Sequence, residues 1–136
     1  MDERQYRLTK HIINTDFDKA YEIVRNLSEE ELEELMLDIG SRTMNLTVYS
    51  FMNYLLQLNE TSSFHSVTSL LMAFSLCHME GAYTISLHHA RKAIKLAPQD
   101  VTYYEFILFF EGNPYVFLSK EEITATHERI KELSNE

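Results

Sequence analysis

Along most of the chain, apolar residues recur three and four positions apart, the spacing that gathers them on one face of an α-helix. Leu27-Ser28-Glu29-Glu30-Glu31-Leu32 has the grammar of a helix start: Ser28 can cap, Glu31 can reach back to it, and Leu27 can pack on Leu32. Leu118-Ser119-Lys120-Glu121-Glu122-Ile123 repeats that grammar. It opens a C-terminal capping helix over about 119–134, with Ile123, His127 and Ile130 on one face. After Ser28, the stripe Leu32, Leu35, Met36 and Ile39 is expected to stop at Gly40. Residues 44–58 are apolar on several sides, which predicts a central, buried helix. Asn59 to Ser63 form a polar break. Val67, Leu70, Leu71, Phe74 and Cys77 make the next stripe, closed by Gly81. Tyr83, Leu87, Ala90 and Ile94 make another, ending before Pro98. Residues 101–110 have a strand-like composition, but Asp100 can cap a helix there and Gly112 and Pro114 can end it. Residues 6–14 and 17–26 predict two short helices with Asp16 as the cap between them. The pattern as a whole predicts one all-α domain over 1–136, an array of about seven short helices with short connections.

Composition narrows what such an array does. The 136 residues are 45% hydrophobic, enough to bury a core, and only 3 Gly and 2 Pro argue against a many-turned β fold. Gly40, Gly81 and Gly112 stand too far apart for a phosphate-binding loop. The net charge of −9 disfavours direct nucleic-acid binding and suits a basic protein partner. The acidic residues are densest at Glu29, Glu30, Glu31, Glu33, Glu34 and Asp38, with no cation among residues 28–38. One cysteine and a charged start without an apolar segment point to the cytoplasm, and no run is apolar enough for a membrane span.

One stretch carries a family pattern. Gly81 stands at a turn, an aromatic follows at Tyr83, and Ala90-Arg91-Lys92-Ala93-Ile94-Lys95-Leu96-Ala97-Pro98 ends a helix with small, aliphatic and closing-proline positions. In these features residues 67–100 resemble a tetratricopeptide repeat, a 34-residue helix–turn–helix. Leu70 and Phe74 depart from it, standing where an aromatic and a small residue are usual. Met36, Gly40, Met52 and Leu56 give a fainter second unit 34 residues earlier. The resemblance implies a helical array with degenerate flanking units that binds other proteins.

Candidate chemistry is sparse. Cys77, His78, His88 and His89 are of zinc-ligand type, but no CxxC, HxxxH or HExxH spacing accompanies them. The expectation is no metal, no cofactor and no catalytic residue, with one histidine packed between helices and another in solvent. Cys77 is expected to be a small buried hydrophobe. Phe106, Phe109 and Phe110 are assigned to the core. Glu29, Glu30, Glu33, Glu34, Asp38, Tyr103, Tyr115 and Phe117 are the partner-binding candidates. The expected function is a non-enzymatic interaction module, most specifically an acidic, immunity-type inhibitor that holds a basic toxin or nuclease stoichiometrically. The alternatives are a structural module that forms a homodimer through its aromatic segment and a small His/Cys metal-binding protein.

Overall fold

The computed structural model describes residues 2–135 and shows an all-α fold of eight helices, with no strand among the described residues. They are α1 (Glu3–Ile13), α2 (Phe17–Val24), α3 (Glu29–Thr43), α4 (Thr47–Leu58), α5 (Ser62–Leu70), α6 (Ala82–Leu96), α7 (Val101–Ile107) and α8 (Lys120–Ser134). A π turn, Leu71–Ser75, prolongs α5, and a 3-10 turn, Leu108–Phe110, prolongs α7. The ambiguous segment 101–110 is therefore helical, as its cap and stops predict.

The helix starts follow the sequence closely. Ser28 Oγ accepts the Glu31 amide at 3.1 Å, and Glu31 Oε1 accepts the Ser28 amide at 3.3 Å, completing a capping box. Ser119 Oγ accepts the Glu122 amide at 3.0 Å, and Asp100 Oδ1 accepts the Thr102 amide at 3.0 Å. Asp16 precedes α2 as expected, but its side chain makes no cap hydrogen bond.

Gly40 does not end α3. The helix runs on to Thr43 and stops at Met44, which takes a left-handed conformation with φ 52°. Gly40 is buried, and a Cβ there would stand 2.6 Å from Leu71 Cδ1 and 3.1 Å from Ser75 Cβ. Its task is close approach: α3 lies directly against the π turn. Ser75 Oγ donates to the Leu37 carbonyl at 2.7 Å and accepts from Ser41 Oγ at 2.9 Å, tying the two elements together.

The π turn also shifts the phase of the next stripe. An extra residue per turn rotates the residues beyond it, so Leu76 enters the core. Phe74 is rotated outward and exposed, and Cys77 is only half-buried, which corrects the expectation of a buried thiol. Phe74 instead meets Phe106 and Phe109 from α7 and its 3-10 turn, at ring distances of 6.3 and 5.3 Å.

The core has two parts. The larger gathers the inner faces of α1 to α5 and the π turn, with Phe51, Met52, Leu55, Leu8 and Ile12 fully buried. The smaller joins Leu87 and Ala90 of α6 to Ile107 and Phe110, flanked by Tyr83, Ile94 and Phe106. Phe110 is core as expected and Phe106 is partly buried, but Phe109 is 43% exposed. A short helix cannot bury all three of these aromatic rings on one side, and Phe109 is the ring turned out. On α8 the buried position is Thr126, one residue before the expected His127, which is exposed.

Candidate acidic groove and buried histidine chain

α5 and α6 run antiparallel, since Ser69 meets Ser86 and His65 meets His89. Small residues let them approach closely. Ser69 Oγ donates to the Ser86 carbonyl and Ser86 Oγ donates to the Ser69 carbonyl, each at 2.7 Å. All these groups are buried, so the reciprocal pair satisfies both hydroxyls without water.

The same small residues leave a hollow. Ser66, Ser69, Ala90 and Ala93 floor a cavity of about 330 Å³, walled by the start of α3 on one side and α7 on the other. Glu29, Glu33 and Asp100 lie on its walls with Tyr103 and Phe106, and none of the described residues lining it is lysine or arginine. Burial, then the charges of Glu29 and Glu30, push the Glu33 carboxyl above its ordinary value. Three carboxylates beside two aromatic rings suit a cation on an apolar stem, the form of a lysine or arginine side chain. A second cavity of about 350 Å³ adjoins it through Glu29, with an apolar wall of Leu27, Leu32, Leu55, Leu58 and Phe64.

The structure therefore brings together three of the eight partner-binding candidates, Glu29, Glu33 and Tyr103. Glu30 and Glu34 lie on α3 and do not line the groove. Asp38 is taken up internally: Arg42 Nε donates to both its oxygens at 2.9 Å, and the Gln5 amide bonds it as well. Tyr115 and Phe117 lie away from the groove, 75% and 81% exposed, and Tyr115 stacks on Tyr83 at 6.2 Å. Asp100 belongs to the groove and is not among the sequence-derived candidates. Its cap role, holding the start of α7, is what places it there.

The histidines divide as expected, His89 buried and His88 exposed. What the sequence pattern misses is the partner of His89. His65 Nδ1 lies 2.8 Å from His89 Nδ1, with both residues 3% exposed. His65 Nε2 lies 2.8 Å from Glu60 Oε2, and His89 Nε2 lies 3.2 Å from the Tyr49 hydroxyl. Burial, followed by His65, His88 and Lys92, pushes the His89 imidazole down to about 3. The hydrogen bond from His65 holds the Glu60 carboxyl below its ordinary value. Antiparallel pairing of 69 with 86 places 65 opposite 89–90, so the hairpin geometry is the signal that could have revealed the pair. His78 is exposed, and among the described residues no group of three His, Cys, Asp or Glu side chains is arranged to hold a metal.

No protein-family model, curated protein or solved structure matches this chain. Among the described residues no helix is long and apolar enough to cross a membrane.

Proposed function

We propose that this chain is a non-enzymatic interaction module that receives a basic side chain of a protein partner in the groove between α3 and α7. The observation that supports this most directly is the convergence of Glu29, Glu33 and Asp100 with Tyr103 and Phe106 around one cavity lined by no cation among the described residues. Negative charge near the α3 start adds attraction from a distance, which speeds association more than it tightens the complex. In its most specific form the module is a cytoplasmic, immunity-type inhibitor that covers the basic surface of a toxin or nuclease. A tetratricopeptide-like arrangement is in keeping with the packing. α3 and α5 lie side by side, and the Ser41–Ser75 hydroxyl contact joins residues 34 positions apart.

The test uses a fluorescein-labelled peptide of alternating arginine and leucine, and the same peptide with citrulline for arginine. The arginine peptide is expected to bind with an affinity that falls with salt, and Glu33→Gln is expected to weaken it several-fold. Equal binding of the citrulline peptide, or no effect of Glu33→Gln and Glu29→Gln together, would refute the assignment of this groove.

A second reading rests on the exposed rings of Phe109, Tyr115 and Phe117, which suit contact with a second copy of the chain. Light scattering over a concentration series tests it, and a strict monomer removes it.

A further inference from the structure

The contacts among Tyr49, His89, His65 and Glu60 run in series through the joint of α4, α5 and α6, and together they fix the proton positions. The Glu60 carboxylate only accepts, so His65 carries its proton on Nε2. His65 Nδ1 is then a lone pair, so His89 must donate from Nδ1 across the 2.8 Å contact. His89 Nε2 is left as an acceptor, and the Tyr49 hydroxyl donates to it. In the neutral state every group is satisfied and all three hydrogen bonds point toward Glu60.

We propose that this four-residue chain is a one-proton latch on the α5–α6 seam: it takes one proton by reversing the inner hydrogen bonds, and a second proton parts the helices. The first proton arrives from solvent at His89 Nε2. The proton on His89 Nδ1 passes to His65 Nδ1. His65 is now an imidazolium held against the Glu60 carboxylate, while neutral His89 donates from Nε2 to the Tyr49 oxygen. No contact is lost. A second proton has no such route. Both Nδ1 atoms would carry hydrogen at 2.8 Å, and two cations would face each other in a buried site.

The surrounding charges agree with that limit. Tyr49 of α4 and Glu60 of the α4–α5 corner are the two ends of the chain. Lys92 and Lys95 of α6 add positive charge around it. From α7, the Tyr103 hydroxyl stands 3.5 Å from Ser62 Oγ at the start of α5 and brings no charge. Glu60 is the anion in contact with the pair, which is why the first proton comes to rest on His65. The groove floor is made by Ser66 and Ser69 of α5 with Ala90 and Ala93 of α6, the two helices that His65 and His89 join. Parting the seam in acid would therefore dismantle the groove. That consequence rests on the function proposed above, whereas the latch does not.

The experiment is long-range proton–nitrogen NMR of the imidazoles in the full chain across a pH titration, without any partner. Near neutral pH, His65 is expected as the Nε2–H tautomer and His89 as the Nδ1–H tautomer. On acidification both are expected to change in one step, with His89 exchanging Nδ1–H for Nε2–H and showing no imidazolium signature. Glu60 is exposed, so Glu60→Gln leaves the fold intact while removing the anion. It is expected to lower proton affinity in that step about tenfold, a midpoint about one pH unit lower. Independent titration of the two rings, each to imidazolium, would overturn the latch, as would an unmoved midpoint in Glu60→Gln. A joint titration with arginine-peptide binding indifferent to acid upholds the latch and removes the groove assignment alone.

Discussion

Replacing Gly40 by alanine is expected to destabilise the protein, although alanine is the better helix former. In a helix interior that change ordinarily stabilises by about 1 kcal/mol. Here the new methyl would lie 2.6 Å from Leu71 Cδ1 and 3.1 Å from Ser75 Cβ, where carbon atoms in contact prefer about 3.5–4.0 Å. Leu71 is fully buried and closely packed, so relief requires an off-rotamer side chain or separation of α3 from the π turn. Overpacking of this kind costs about 1–3 kcal/mol. Separation would also stretch the Ser75 bonds to Leu37 and Ser41, now 2.7 and 2.9 Å, each contributing about 1 kcal/mol. Subtracting the helix gain from the overpacking leaves about 0–2 kcal/mol, and partial weakening of the two Ser75 bonds brings the net loss to about 1–3 kcal/mol, or several degrees in Tm. Urea unfolding monitored by circular dichroism reads this as a lower midpoint at unchanged slope. In a Leu71→Ala background the nearest atom is gone, so Gly40→Ala is expected to become neutral or stabilising there. A Gly40→Ala protein at least as stable as the parent, in the parent background, would refute the close-approach argument.

Acid is expected to destabilise the fold through His89. Its folded value of about 3 lies below the ordinary value near 6.5, so the unfolded chain binds the extra proton. The stabilisation is therefore complete above about pH 6.5 and is lost as pH falls from there toward 3, with a slope of at most about 1.4 kcal/mol per pH unit. His89→Gln should flatten urea midpoints measured across that window. Ser28→Ala removes the α3 capping box and is expected to cost about 1 kcal/mol, whereas Asp16→Ala, which loses no side-chain cap, should be near neutral by the same assay. Arg91 Nε and Nη2 donate to both Glu122 oxygens at 3.0 and 2.7 Å, joining α6 to α8. Because both side chains are substantially exposed, Arg91→Ala should cost no more than about 1 kcal/mol, and the loss should shrink in high salt. Glu33→Gln should raise stability at neutral pH while weakening peptide binding, because the folded state disfavours the ionised carboxyl. A variant weakened in both properties would make Glu33 a structural residue.

How far the sequence could be read depended on whether local or distant contacts decide a residue's place. Ser28, Ser119 and Asp100 cap their helices through atoms two or three residues away, so local grammar suffices. Gly81, with φ 83°, turns the chain into α6 where the pattern placed a turn. Gly40 looks like a stop because its local sequence is identical for a C-cap and for a close-packing glycine. Only the approach of Leu71, 31 positions away, separates the two. The stripe after Val67 departs from simple helical phase because a π turn leaves no mark in apolar spacing, and that moves Phe74 outward and Leu76 inward. In the site, charge clustering located Glu29 and Glu33 but equally suggested Asp38. Arg42 neutralises Asp38 one helical turn on. The His65–His89 contact spans 24 residues and follows from the register of the α5–α6 hairpin, which local spacing does not set.

The seam between α5 and α6 positions both walls of the groove. An all-apolar seam would be simpler to stabilise, because buried hydrogen bonds exchange one set of partners for another and add only modestly to stability. Here Ser69, Ser86, His65 and His89 are buried, and each is fully engaged across the seam. Such contacts tolerate little sliding: a shift of one residue would leave both hydroxyls and both imidazoles without partners, at about 1–3 kcal/mol for each. The polar seam therefore fixes the register of the hairpin. Register sets which residues reach the groove, since Ser66 and Ser69 of α5 and Ala90 and Ala93 of α6 must come to one side of the hairpin for the hollow to exist. α7 succeeds α6 after only a short connection, and Tyr104 anchors it by donating to the Pro98 carbonyl at 2.8 Å. Tyr103 and Asp100 thus inherit their positions over the groove from the same register. The wall of Glu29 and Glu33 comes from α3, which the Gly40 contact and the Ser41–Ser75 bond hold against the π turn that prolongs α5. Both walls of the groove are positioned from the α5–α6 hairpin, so substitutions at Gly40, Ser69 or Ser86, none of them carrying charge, are expected to change binding of a basic peptide as surely as loss of Glu33.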